Sequence, residues 1–290
     1  MPDITLVPAN FISHVLDSFL YGIVVLLFIA DVYFLATRRT LAGDSRPMRH
    51  HFTSLIFLGV TLLFLIITIH WVLVVYQAYF AFIHLGDAAS ERTFYGDLSQ
   101  PSAIAKESML FLSILLGDIL VIYRLWIIWG GNRRVAVLPA CTVLGDLGSV
   151  ASIGLVYQLI HWGPKVISGL SSVRGWTGLG FGLSLLNNVY CTGFIAFRIW
   201  KSKPSTDSRL MSFLIILVES AALQTFWLTF AALTILARSD AEFFATDSFP
   251  PVIGIGNLLI HARVGLGWSQ DTVPKHVGTP LSVAQTGVAV

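Results

Sequence analysis

The chain has 290 residues, 55% of them hydrophobic and only 12% charged, with a mean hydropathy of +0.77. A soluble protein carries roughly twice that charge fraction, so the apolar excess must be solvated by lipid. The net charge of +2 arises from cations divided among short segments, which excludes a nucleic-acid surface, and Cys141 and Cys191 lie in apolar runs that give no disulfide framework.

The first residues, MPDITLVPANFISHVLD, lack a basic n-region and a small-residue cleavage site, so the first span reads as a signal anchor. Seven apolar stretches follow, at residues 14–36, 52–80, 104–129, 135–160, 175–200, 210–237 and 249–268. A bilayer crossing needs about 20 such residues, and a helix satisfies its own backbone polar groups there. The prediction is an all-α, seven-helix transmembrane domain over 14–268. Residues 1–13 form a short outer N-terminus and 269–290 a polar, disordered cytoplasmic tail. Glycine and polar residues dilute the fourth and fifth spans. In the fifth, Gly175, Gly178, Gly180 and Gly182 predict close helix–helix approach rather than a nucleotide loop, since no strand precedes them.

Basic residues set the orientation. With the N-terminus outside, twelve Lys and Arg fall on the cytoplasmic side, among them Arg38, Arg39, Arg133 and Arg134. Five fall outside: Arg92, Lys106, Lys165, Arg174 and Arg238. The positive-inside rule therefore favours N-out and C-in. Trp126, Trp129, Trp162, Trp176, Trp200 and Trp268 mark span ends, as interfacial indoles do.

Counting along each helix from its cytoplasmic end places Asp118, Asp146, Asn187, Asn188, Glu219 and Asn257 near mid-membrane. Such a layer reads as a ligand, ion or proton site, or as hydrogen-bonding glue between helices. A second layer, nearer the cytoplasm, contains Asp31, Arg124, Arg198 and Arg263. Asp118 and Arg124 are six residues apart and lie on different faces, so Asp31 is the predicted counter-ion of Arg124. That pair would form a cytoplasmic lock, while the alternative has the arginines reaching lipid phosphates.

There is no H-E-x-x-H zinc pattern, no G-x-S-x-G elbow, and no lysine between Arg209 and Trp268 to carry a retinal Schiff base. No enzyme, metal or cofactor is implied.

The runs DILVIYRLWIIW (Asp118–Trp129), FRIW (Phe197–Trp200), ESAALQT (Glu219–Thr225) and GIGNLLIHARVGLG (Gly254–Gly267) resemble seven-span integral membrane proteins of mushroom-forming (basidiomycete) fungi. The resemblance implies fold and membrane location, but no reaction. The topology also matches that of G-protein-coupled receptors, although the third span ends YRLW rather than D/E-R-Y and the seventh lacks N-P-x-x-Y. The leading expectation is a receptor-like protein with a mid-membrane polar pocket and a cytoplasmic signalling partner, placed by default in the plasma membrane. A proton-coupled transporter of a small solute or lipid is second, and a structural membrane protein third. Oligomeric state stays open.

Overall fold

The computed structural model describes residues 6–41, 47–85, 88–96, 100–162, 167–201, 208–237, 239 and 241–269. Seven long helices, α1 (Leu6–Leu41), α2 (Pro47–Tyr79), α4 (Pro101–Ile128), α5 (Arg133–Trp162), α6 (Ile167–Lys201), α7 (Ser208–Ala237) and α9 (Phe249–Ser269), lie beside two short ones, α3 (Ala88–Gly96) and α8 (Ala241–Asp247). A π-helical turn, Phe80–Leu85, extends α2. No strand occurs among the described residues.

Sequence explains the helix ends. Pro101 opens α4, where its missing N–H costs nothing, with Gln100 extended before it (φ −66°, ψ 138°). Gly130 (φ 64°) and Gly131 (φ 81°) close α4 in left-handed conformations, and their N–H groups bond the Ile127 and Trp126 carbonyls. Inside α5, Pro139 cannot donate to the carbonyl of Val135, four residues earlier. The Tyr190 hydroxyl of α6 donates to that carbonyl at 3.4 Å, so the freed acceptor is satisfied from a neighbouring helix. The first helix begins at Leu6 rather than at residue 14. Pro8 is tolerated in its first turn, and the polar residues Asn10, His14 and Asp17 hide the extension from a hydropathy reading.

The helices form a closed ring, α1–α2–α4–α5–α6–α7–α9, with α4 and α9 also packed together at its centre. Side-chain contacts fix directions. Tyr21 bonds Thr68 and Phe28 stacks on Phe64 (4.1 Å between centroids), so α2 runs antiparallel to α1. Ser184 contacts Asp118, and further along both helices Trp129 bonds the Phe194 carbonyl. Helices α4 and α6 therefore run the same way, and α5 carries the chain back between them. Lys106 meets Asp247, the last residue of α8 and two before α9, and Arg124 meets Asn257 within α9, so α4 and α9 are parallel too.

Close approach is carried by Gly117 and Gly254, and Gly175, Gly178 and Gly182 of the fifth predicted span take no such part. A Cβ at Gly117 of α4 would sit 2.7 Å from Ile253 of α9. One at Gly254 of α9 would sit 2.6 Å from Ile67 of α2 and 3.3 Å from Val24 of α1. Gly175 and Gly182 have nothing within 4 Å of such an atom, and Gly178 meets Ile235 only at an ordinary 3.6 Å. Val24, Ile67, Leu110 and Ile253 form the dry core beside these contacts.

The outer surface is a belt of aliphatic and aromatic side chains: Leu26, Leu58, Leu144, Phe226 and Leu236 are each at least 64% exposed. Among the described residues, six segments are long and apolar enough to cross a membrane: Asn10–Phe34, Leu55–Leu85, Pro101–Ile128, Thr177–Lys201, Leu217–Ala237 and Ala241–His261. Side chains of α5 are described only over residues 133–148, shorter than a crossing. The predicted tail, 269–290, lies outside the described residues except for Ser269.

Replacing Gly254 by valine forces α9 away from α1 and α2. Overpacking of this kind costs about 1–3 kcal/mol, read as a lower unfolding midpoint of the detergent-solubilised protein. Gly182→Val, with open space around it, is the control expected to leave the midpoint near wild type.

Candidate functional site

Buried ionisable groups occupy three levels of the bundle. At the end of the bundle that the distribution of basic residues assigns to the outside, here the outer level, Lys106 Nζ lies 2.9 Å from Asp247 Oδ1, with both side chains almost fully buried. Ser13 Oγ approaches the other Asp247 oxygen at 3.5 Å. Asn10, Ser13, His14 and Asp17 share one face of α1 at i, i+3, i+4 and i+7 spacing, and all four are buried. His70 of α2 is also buried nearby, its ring within electrostatic reach of Asp247 and Lys106. Both Asp17 oxygens and both His70 nitrogens lack a hydrogen-bond partner among the described residues. Tyr95 of α3 covers this cluster, its hydroxyl 3.1 Å from His14 Nε2. Burial, with the nearby Asp247 and Glu91 charges, pushes the Tyr95 phenol up, so it keeps its proton.

At the middle level, Ser184 Oγ donates to Asp118 Oδ1 at 3.2 Å, and the Asn187 amide and Asp146 carboxyl face the same group. Asp118 Oδ2, both Asp146 oxygens and Asn187 Nδ2 have no partner at full hydrogen-bond geometry. Two carboxyl groups bond directly only when one carries a proton.

At the inner level, Asp31 Oδ2 lies 3.1 Å from His261 Nδ1, an ion pair when the imidazole is protonated. Arg124 Nη2 donates to the Asn257 carbonyl at 3.3 Å, while Nη1 lacks a partner. The expected Asp31–Arg124 lock is thus replaced: His261 takes the Asp31 carboxyl, although Asp31 still attracts Arg124 across the gap. Arg198 is exposed and lies 5.4 Å above the Trp129 ring, facing out of the bundle. Arg263 belongs to α9, but its side chain lies outside the described residues.

The predicted mid-membrane layer therefore divides. Asp118, Asp146 and Asn187 come together. Asn188, one residue on and about 100° round the helix, turns to α7 and bonds the Ala221 carbonyl (3.4 Å) and Thr225 (3.1 Å), an interhelical tie. Asn257 returns its amide to Ile253. Glu219 is exposed on the outer side of α7 and does not join the layer, because the inward positions of that turn are Ser220 and Gln224. A small cavity between α4, α6, α7 and α9 is lined by Arg124, Asn188, Thr192, Ser220, Gln224 and Asn257. It has room for a water or a bare ion, not for an organic ligand of ordinary size.

The outer cluster was missed by counting. Lys106 read as one more outside cation, and the start of α1 as a short tail. The available signal was the Asn10–Ser13–His14–Asp17 spacing. Among the described residues, no group of three or more His, Cys, Asp or Glu could hold a metal ion.

The lipid-facing belt and six apolar helices define a multi-pass integral membrane protein. Comparison with family models, curated proteins and solved structures returned no match.

Removing one partner of the outer ion pair leaves a buried charge. Lys106→Met alone is expected to destabilise by about 3–5 kcal/mol, and adding Asp247→Leu to recover most of that loss. Thermal unfolding of both variants in detergent measures the difference.

Proposed function

We propose that the chain crosses the membrane seven times, N-terminus outside, and works as a proton-coupled transporter of a small solute. Seven crossings are supported by the shared direction of α4 and α6, which requires α5 to return between them. An odd number of crossings puts the termini on opposite faces, and the distribution of basic residues puts the C-terminus inside. The resemblance to the fungal seven-span proteins accords with this topology.

One observation carries the transport reading. Helix α4 buries Lys106, Asp118 and Arg124, each beside a polar partner on another helix, at the outer, middle and inner levels. Intramembrane ionisable groups facing a bundle interior mark proton and ion paths. Asp118 and Asp146 are the residues suited to hold the transferred proton, since they face each other and neither is tied to a cation. The cavity beneath them suits a water or an ion, which favours proton handling over capture of an organic signal.

A receptor-like reading is second, favoured by the ties of α1 and α4 to α9 at the inner level. There the Asp31–His261 contact would hold the cytoplasmic end closed until a signal released it for a partner.

Proteoliposomes with a trapped pH dye separate the two. Asp118→Asn and Asp146→Asn are each expected to slow pH-gradient-driven proton flux at least tenfold while leaving the protein folded. Wild-type flux no faster than that of empty liposomes, or full flux in both variants, counts against transport.

A further inference from the structure

Every aspartate described within the membrane-crossing helices is buried: Asp17, Asp31, Asp118, Asp146 and Asp247. Glu219, by contrast, is exposed on α7 and has no partner among the described residues. Its depth follows from its neighbours. Asn188, next to the Asn187 that faces Asp118, bonds the Ala221 carbonyl two residues beyond Glu219. By helical rise Glu219 lies ~16 Å from the start of α7 and ~27 Å from its end, one turn from the level of Asn188. A carboxyl there meets hydrocarbon, which offers no hydrogen bond.

The residues around it form a seam. Ile215, Glu219, Ala222, Phe226, Thr229 and Leu233 are all exposed and recur at alternating intervals of four and three. That is the 3.5-residue repeat of helices packed in a left-handed pair, with small Ala222 and Thr229 one heptad apart allowing close approach. A single polar residue in such a seam fixes its register. A two-fold axis along the membrane normal brings each residue opposite its equivalent at the same depth, so a second copy supplies what lipid cannot.

We propose that two copies of the chain pair through the exposed face of α7, with the Glu219 carboxyls hydrogen-bonded to each other across the two-fold axis. A carboxylic acid both donates and accepts, so the pair is self-complementary once it holds a proton. This inference stands apart from the transport reading, because Glu219 faces away from the Asp118–Asp146 site.

The test uses the full chain in phosphatidylcholine liposomes, with dimer fraction measured by single-molecule photobleaching over a dilution series. Wild type is expected to dimerise. Glu219→Gln, which still donates and accepts, should remain dimeric, and Glu219→Leu should weaken association about tenfold. In a Cys141→Ser, Cys191→Ser background, Ala222→Cys should cross-link, while Leu186→Cys, exposed on α6, should not. Glu219→Leu removes a polar group from the lipid face and should not impair folding; a Glu219→Leu dimer as tight as wild type overturns the proposal. So does a monomeric wild type, including one whose Glu219 is labelled by a lipophilic carbodiimide as an acid facing lipid.

Discussion

A charge inside a membrane protein must be answered by another part of the same chain, because lipid gives it nothing. The Lys106–Asp247 pair meets that requirement most directly and organises the outer half of the bundle. It joins the start of α4 to the end of α8, where the chain turns into α9, and gathers the polar face of α1 around the joint. The α3 helix lies above it, with Tyr95 bonded to His14. On the other side α8 is anchored by the Trp227 indole, which donates to the Ala245 carbonyl at 2.9 Å. Neutralised within the pair, each charge can be buried, and losing either partner would expose the full desolvation penalty of the other.

Helices α4 and α9 are central for a second reason. Gly117 and Gly254 let the backbones approach closely, so the dry core and the polar levels alternate along one shared axis. Apolar layers around Val24, Ile67 and Ile253 separate the outer cluster from Asp118 and Asp146. That separation keeps the levels electrostatically distinct, as successive sites need to be if a proton is held at each in turn.

Much of the architecture was legible in the sequence, since a crossing helix has to be apolar and its ends are marked by proline, glycine, tryptophan and basic residues. Position along each helix was legible as well, because helical rise is fixed. Direction around the helix was not. Glu219 was counted into the inward layer, yet Ser220 and Gln224 take the inward face. The adjacent Asn187 and Asn188 serve different neighbours, which 3.6 residues per turn demands of consecutive positions. Asp31 was matched to the nearest full charge, and a histidine, neutral in a charge count, occupies the place instead. The glycines of the fifth span drew notice by their density, whereas close approach depends on what stands opposite each one.

The order of synthesis gives the outer ion pair a further significance. Asp247 is made 141 residues after Lys106, which at 5–20 residues per second is a delay of roughly 10–30 s. During that interval the third crossing segment holds a cation without its counter-ion. Lys106 lies within two turns of the start of its helix, close enough for its long side chain to reach headgroups and water. Arrival of Asp247 draws that ammonium inward, so this half of the bundle can close only once α8 is in place. A chain truncated before Asp247 would leave Lys106 unpaired, its ammonium held at the membrane surface instead of inside the bundle.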